Sequence, residues 1–542
     1  MKVQQIQQNQ IQNNKQHPNF KGFVDTSLRF LTINQGLGAN GVDVAFMVLP
    51  RTTTDMLGRG PLAGMETLRR EASGTANHSL IGPYGIAAGA LMAYGINKQY
   101  GTNINKVLAA PETVNILAEN KANQLKNQKT QLEYIKETLS NLKAYNPSIS
   151  KNADGMLKIS EDTVNEVASI INDALNDETI DFKKWSNEKT ANSFDVAKNK
   201  IIADVGAESK YILESSTQGK ASHTDLKAFL EDIYRVSETF NKEEVQKAFI
   251  EQIDNGKSIA ENKFIKSLTK FNKNKAIAGF AIASAIGMSI QPINVYLTKR
   301  KTGSDGFVGV EGRTKDTSTG FLAAKVVSAG AFGAMVMKTL GTGFKNFLGK
   351  MAYTGFWPTM SQLKGVYGLT IMSRILATRD KDELRESLTK DTLGFLSWLV
   401  LGDIVNKMTA NALDESVMNR TKETAEKGYW KRLLNSSLKT RDEILLKVLA
   451  ENDIEVVKKD GEKVIAKTFK ELMGELDKLP EKVKAETKQQ LKTLNKAQLA
   501  GYLFSGLVLG LGIPNLNIFI TNTLDKKHKA KLAEQQTQLT KA

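Results

Sequence analysis

The sequence predicts a mainly α-helical protein: multi-pass transmembrane helices, two soluble and mostly helical segments, and a small β-hairpin. Two uncharged runs carry the first part of that expectation. Residues 276–298 and 497–524 contain no Lys, Arg, Asp or Glu. At 1.5 Å per residue the shorter run reaches roughly 34 Å, enough for a hydrocarbon core of about 30 Å. Charge placement is the second observation. The net charge is +16 over 542 residues, yet residues 101–270 sum to about −3 and residues 411–496 to about +3. The excess sits at the chain ends and beside the apolar runs, as where loops meet anionic headgroups. The third observation is the polar pattern of those two intervening stretches, which carry helix caps and turn signals.

Residues 1–22 are Gln/Asn-rich and cannot bury surface, so they predict a disordered tail. No apolar core stands directly behind a basic start, so no cleavable signal peptide is expected. Residues 23–99 read as N-terminal helices and a first span. Phe23, Leu28, Phe30 and Leu31 mark one helix; Gly36, Gly38, Asn40 and Gly41 break it; Val42, Phe46 and Val48 mark a second. The first span is expected over 80–96, with Pro83 in its first turn and Gly85 and Gly89 forming a small face.

Residues 100–272 predict a soluble helical domain. A polar helix is expected from Ala110-Pro111 to Asn146-Pro147, with Leu132, Ile135, Leu139 and Leu142 at coiled-coil spacing. Asp154-Gly155 is a hairpin-type turn. Thr163 with Glu166, Ser222 with Asp225, and Asn241 with Glu244 read as capping patterns. Residues 273–410 form a membrane helical region. Its clean span, 276–298, is framed by Lys273 and Lys275 before and Lys299, Arg300 and Lys301 after. Residues 321–340, 351–375 and 392–408 are apolar but hold Lys325 and Lys338, Lys364 and Arg374, and Asp403 and Lys407. Each is a bundle-buried span or an interfacial helix. Residues 411–496 are a second soluble segment, with a hairpin in which 454–457 and 463–466 flank Asp460-Gly461, and a helix on Leu472, Leu476 and Leu479. Residues 497–542 are the last span and a basic tail.

Composition excludes several functions. There is no cysteine, hence no disulfide and no thiolate chemistry. His17, His78, His223 and His528 are too scattered for a spaced ligand set. Basic residues flank apolar runs instead of interleaving with aromatics, so no nucleic acid is expected as a partner. Gly36–Gly41 matches G-x-G-x-x-G without the surrounding strand–helix–strand unit, and residues 343–350 have Phe344 where a phosphate loop needs Gly. No catalytic, cofactor or metal site is expected, and the chain does not read as an enzyme. His78, just before the first span, reads as an interfacial or packed residue.

The two uncharged runs end alike. Residues 291–298 read Gln-Pro-Ile-Asn-Val-Tyr-Leu-Thr and 514–521 read Pro-Asn-Leu-Asn-Ile-Phe-Ile-Thr. Upstream, Gly279-Phe280 parallels Gly501-Tyr502, and Gly287 parallels Gly510 with one residue inserted. Residues 394–402 resemble 501–510 with one deleted. An internal repeat is therefore expected, and Pro- or Gly-broken helices at matching places carry the site in many transport folds. Asn294 and Asn517 are the equivalent polar groups. Asp403 is the ionisable candidate for a membrane site. Three spans between the copies would give them one orientation, two would invert them.

The Gln/Asn-rich start followed by Asn19-Phe20-Lys21-Gly22 resembles a group of uncharacterised bacterial multi-pass proteins, whose apolar helices also alternate with Lys/Asn-rich helical segments. The resemblance implies a membrane location, with the bacterial inner membrane expected, and implies no activity. The expected function is a structural or interaction component of an envelope. Its partners are the lipid bilayer and, through the soluble segments, another protein. The alternatives are a transporter or channel, or a soluble protein that inserts later as a pore former, which a mean hydropathy of −0.31 allows.

Overall fold

The computed structural model describes residue 28 and residues 35–144, 156–177, 188–208, 210–215, 221–303, 305–306, 308, 314–341, 343, 346–351, 358–419, 428–461 and 463–541. The fold is mainly helical, with short antiparallel β pairings. Residues 1–22 and the turn expected at Asp154-Gly155 lie outside the described residues.

Local signals set the ends of the polar helices, with some shifts from expectation. The helix expected over 110–146 is two helices, Pro111–Lys126 and Gln131–Ser140. Gln128 takes a left-handed φ of 52° between them, and a Thr130–Glu133 capping box restarts the chain. Leu142 lies in a strand instead. The cap of Glu161–Asn176 is Ser160, not Thr163, and that of Leu226–Phe240 is Asp225, not Ser222. In both, the extended residue just before the first turn aims its oxygen at the third N–H. Ser222 is held in a strand. Lys242, without a side-chain cap, precedes Glu243–Asp254. A hairpin forms about Asp460-Gly461, its second strand at Lys463–Ala466 as expected and its first at Val457–Asp460 instead of 454–457, running right up to the turn; Gly461 supplies the positive φ of 63°.

Residues 100–272 and 411–496, read separately from sequence, contribute to one apolar core. Leu445, Leu446, Leu449, Leu472 and Leu476 pack in the same cluster as Ile201, Ile202 and Phe229. Lys198 pairs with Asp442 at 3.1 Å, and the Glu208 N–H donates to Glu443 at 2.7 Å.

Among the described residues, three helices are long and apolar enough to cross a membrane: Lys263–Thr302, Thr319–Thr339 and Glu481–Lys527. The expected first span is interrupted at Leu80 and Ala93, leaving Ile81–Met92, too short to cross alone. The three glycines of 36–41 lie within the Gln35–Asp43 helix, not at a break. Residues 351–375 supply the Met360–Leu376 helix, and residues 392–408 span the end of Lys381–Leu396, a π-helical turn at Ser397–Leu401 and Gly402–Leu413.

Two antiparallel pairs organise these helices. Residues 61–100 run back along Lys263–Thr302: Asn77 donates to Ala283 O, and Lys275 donates to Asn105 O and Val107 O. Residues 381–413 run back along residues 481–527: a Cβ on Gly394 would lie 3.8 Å from Leu509, and one on Gly402 3.0 Å from Ser505. Residues 101–262 are inserted between the members of the first pair and 414–480 between those of the second, so both insertions leave the same end of the bundle. The helix before each pair packs against the opposite pair. Leu49–Arg59 lies along residues 506–518, and Met360–Leu376 along residues 280–288. Around the bundle, Leu91, Ile293, Tyr296, Val326, Val327, Leu503, Leu507 and Phe519 are exposed.

Candidate functional site

The first helices of the two pairs carry charged faces inward. Glu66-Thr-Leu-Arg-Arg-Glu71 and Glu386-Ser-Leu-Thr-Lys-Asp391 stand 320 positions apart, with Gly74 and Gly394 next at the same spacing. Each face is answered by arginines from the segment that leads into the other pair, Arg59 at the end of its helix and Arg379 in the connection after Met360–Leu376. Arg59 grips Glu386 through both oxygens at 2.9 and 2.5 Å. Arg379 donates to Glu66 at 2.9 Å and also holds Glu383. Arg59 and Arg379 are themselves 320 positions apart.

One layer deeper, Arg374 reaches Glu71 at 3.4 Å and Asp391 at 3.3 Å. Arg51 reaches Glu71 at 3.5 Å and lies over Gly394, where a Cβ would come within 2.8 Å of its guanidinium. Arg374 lies over Gly74 in the matching way. Arg70 adds a third cation at Glu71, and Ser387 donates to Asp391. Asp43, buried beside them, accepts from Thr75. Apart from the half-buried Arg70, these charges are nearly inaccessible. In a medium of low dielectric such groups persist only when paired, and removing one partner costs about 3–5 kcal/mol.

Helix breaks feed the same region. Pro292 lacks an N–H, so the Met288 carbonyl four residues earlier has no helical donor. Ser373, the neighbour of Arg374, fills it at 2.5 Å. Pro514 follows a π-helical turn at Gly506–Gly512, and the Arg51 Nε donates to Leu509 O there at 3.5 Å. Met288 stands near the middle of the uncharged 276–298 run, so the inner charged layer sits at mid-height of the apolar helices.

The sequence-predicted residues fall around this core. Asn294 donates to Glu66 O at 3.0 Å and Asn517 to Glu386 O at 3.2 Å. Four residues on, Thr298 accepts from Arg69 at 2.9 Å and Thr521 from Arg385 at 2.6 Å. The two asparagines thus make matching contacts, each fixing the charged helix of its own pair; they do not converge on one point. Asp403 is apart from them, exposed and paired with Lys407 at 2.7 Å. His78 is fully packed edge-on against Tyr367, which also stacks on Phe395 and meets Trp398. This aromatic layer lies beyond the inner charges.

The charged faces enclose a cavity of about 40 Å³, lined by Asp55, Arg59, Glu66, Arg70, Gln291, Arg374, Lys390 and Asp391 among others. It is roomy enough for a few waters. Glu66 Oε2 and Gln291 Oε1 are buried there with no hydrogen-bond partner among the described residues. Among the described residues no cluster of His, Asp and Glu has metal-binding geometry. In the inserted domain, burial raises the Asp232 carboxyl well above the usual range and lowers the Lys121 ammonium to about 8.

Sequence reasoning missed the charged core because it screened for apolar runs. The repeated string Glu-Thr/Ser-Leu-x-Arg/Lys-Glu/Asp-x-x-Gly was the available signal. No known family model, curated protein or solved structure matches the chain.

Proposed function

We propose that this chain is a multi-pass membrane protein that moves a small ion or proton through a charged chamber between two like-oriented copies of one helical unit. Each unit is a leading helix, a charged helix, an inserted domain and a long apolar helix. The observation that carries the reading is the paired charged layer at mid-height of helices long and apolar enough to span. Ionisable groups at that depth mark ion and proton pathways more often than they stabilise a bundle. Matching contacts at Asn294 and Asn517, with Pro292 and Pro514 beside them, support a duplicated origin. Three helical segments, Thr319–Thr339, Met360–Leu376 and residues 381–413, lie between the two long apolar helices, which supports a shared orientation of those helices.

A second reading, a structural or interaction component, draws on the reciprocal pairs Arg59–Glu386 and Arg379–Glu66, which lock the units together. The pore-former reading is disfavoured by the apolar belt, which this fold leaves exposed instead of hiding. Proteoliposomes carrying a pH-sensitive dye, with imposed H⁺, K⁺ and Cl⁻ gradients, separate the first two. The transport reading expects a flux above empty vesicles that Asp391→Asn lowers by about tenfold or more while the protein still elutes as one species. No flux for any of the three ions would reject it in favour of the locked scaffold.

A further inference from the structure

A groove on the outer face of the bundle takes no part in the charged core. It runs between the Pro61–Ser79 and Lys263–Thr302 helices and encloses about 500 Å³, within the range of about 300–1,000 Å³ typical of ligand sites. Ile286, Ile290, Ile293 and Leu297 line it. From 285 to 297 it follows the helix for twelve steps, roughly 18 Å at 1.5 Å each, close to the ~15 Å depth of one leaflet.

At the end beside Thr298 the groove meets a cation. Arg69 lines it and spends one nitrogen on Thr298. Its buried Nε has no hydrogen-bond partner, and no carboxylate stands in ion-pair range, among the described residues. Arg300 and Lys301 lie exposed just past that end. The corresponding position in the second unit is Thr389; there the matching Thr521 is met by Arg385, which pairs with Asp382 at 3.0 Å, whereas Arg69 has no such acid beside it among the described residues.

We infer that the groove binds one anionic phospholipid, its phosphate on Arg69 and an acyl chain along Ile293 and Ile286. An unpaired guanidinium with free donors suits a phosphate, and the apolar wall has the length of the chain that would hang below it. A docked protein helix would cover the apolar wall but would leave Arg69 needing an acid at that one point. The inference rests on the bilayer reading above and not on transport.

The test uses the full chain purified in detergent, stripped of lipid, and offered phosphatidylglycerol or phosphatidylcholine with identical palmitoyl-oleoyl chains, with retained lipid counted by native mass spectrometry. The wild type is expected to retain phosphatidylglycerol roughly tenfold better. Arg69→Gln should lose that preference, Arg69→Lys should recover much of it, and Ile290→Trp, which fills the groove, should retain neither lipid. An unchanged preference in Arg69→Gln, or wild-type retention in Ile290→Trp, overturns the site. A chain that stays monodisperse without detergent sinks the bilayer reading itself; a detergent-requiring chain that retains both lipids equally sinks only the groove.

Discussion

Glu71 shows how single side chains make the core depend on all its members. It faces Arg51, Arg70 and Arg374 at once, and Arg374 is shared with Asp391. Each charge is tolerable because the others are present, so the network acts as one unit and not as a sum of pairs. The inserted domain holds a simpler case. Lys121 is buried, donates to Asn241 at 2.8 Å and lies over the Tyr134 ring. Burial depresses its ammonium from 10.5 to about 8. Between those values the unfolded chain binds more protons than the folded one, so stability from this group rises with pH across that window and is lost as pH falls through about 8. Lys121→Met removes the slope. Thermal unfolding at pH 7 and pH 10.5 should show the wild type gaining on the variant by on the order of 3 kcal/mol between the two. A constant difference would mean that Lys121 is not desolvated as described.

At the scale of elements, close helix approach decides which glycines are fixed. A Cβ on Gly510 would sit 2.9 Å from the Phe46 carbonyl oxygen and from Pro50; one on Gly74 would meet only Arg374, at 3.5 Å. Gly510→Ala should therefore cost about 1–3 kcal/mol, because backbone must move. Gly74→Ala should be close to neutral, and thermal unfolding of the two variants in detergent compares them directly. Equal losses would show that the Leu49–Arg59 helix does not bear on the π-helical turn. The sequence made Gly510 visible as a small residue at a span and paired it with Gly287, whose Cβ would strike Thr370. It also marked both uncharged runs and the turn and second strand of the 457–466 hairpin, since period, length and turn chemistry are local. What it hid was long-range. Arg374 looked like an interruption in an apolar stretch, and nothing near it or Arg51 in the chain announces Glu71 or Asp391. The interruption of the first span at Leu80 was equally hidden, since an uncharged stretch reads as continuous when only its composition is followed. The caps at Ser160 and Asp225 were displaced by three residues because several Ser, Thr and Asp neighbours offer the same acceptor.

For the molecule as a whole, connectivity fixes which parts share a side. The two members of each antiparallel pair are joined through an inserted segment at one end, and the two insertions meet in a single apolar core. Residues 303, 314–318 and 377–380 lie at the opposite end with the basic cluster Lys299, Arg300 and Lys301. If the bundle stands in a bilayer, the positive-inside tendency sets that end toward the cytoplasm and the inserted domain on the far side. An inverted arrangement of the units would instead put the 101–262 and 414–480 insertions on opposite faces, which their shared core forbids. The chain has no cysteine, so single replacements report without background. Cysteines at Lys257 and Lys478, both on the inserted segments, should react with an impermeant maleimide from one side of sealed vesicles. Those at Lys301 and Lys526 should react only once the vesicles are opened, or the reverse for vesicles of the other polarity. Labelling of Lys257 and Lys478 positions from different sides would break the like-oriented arrangement and with it the chamber between two equivalent halves. Labelling of all four in unopened vesicles would place the whole chain on one side of the membrane.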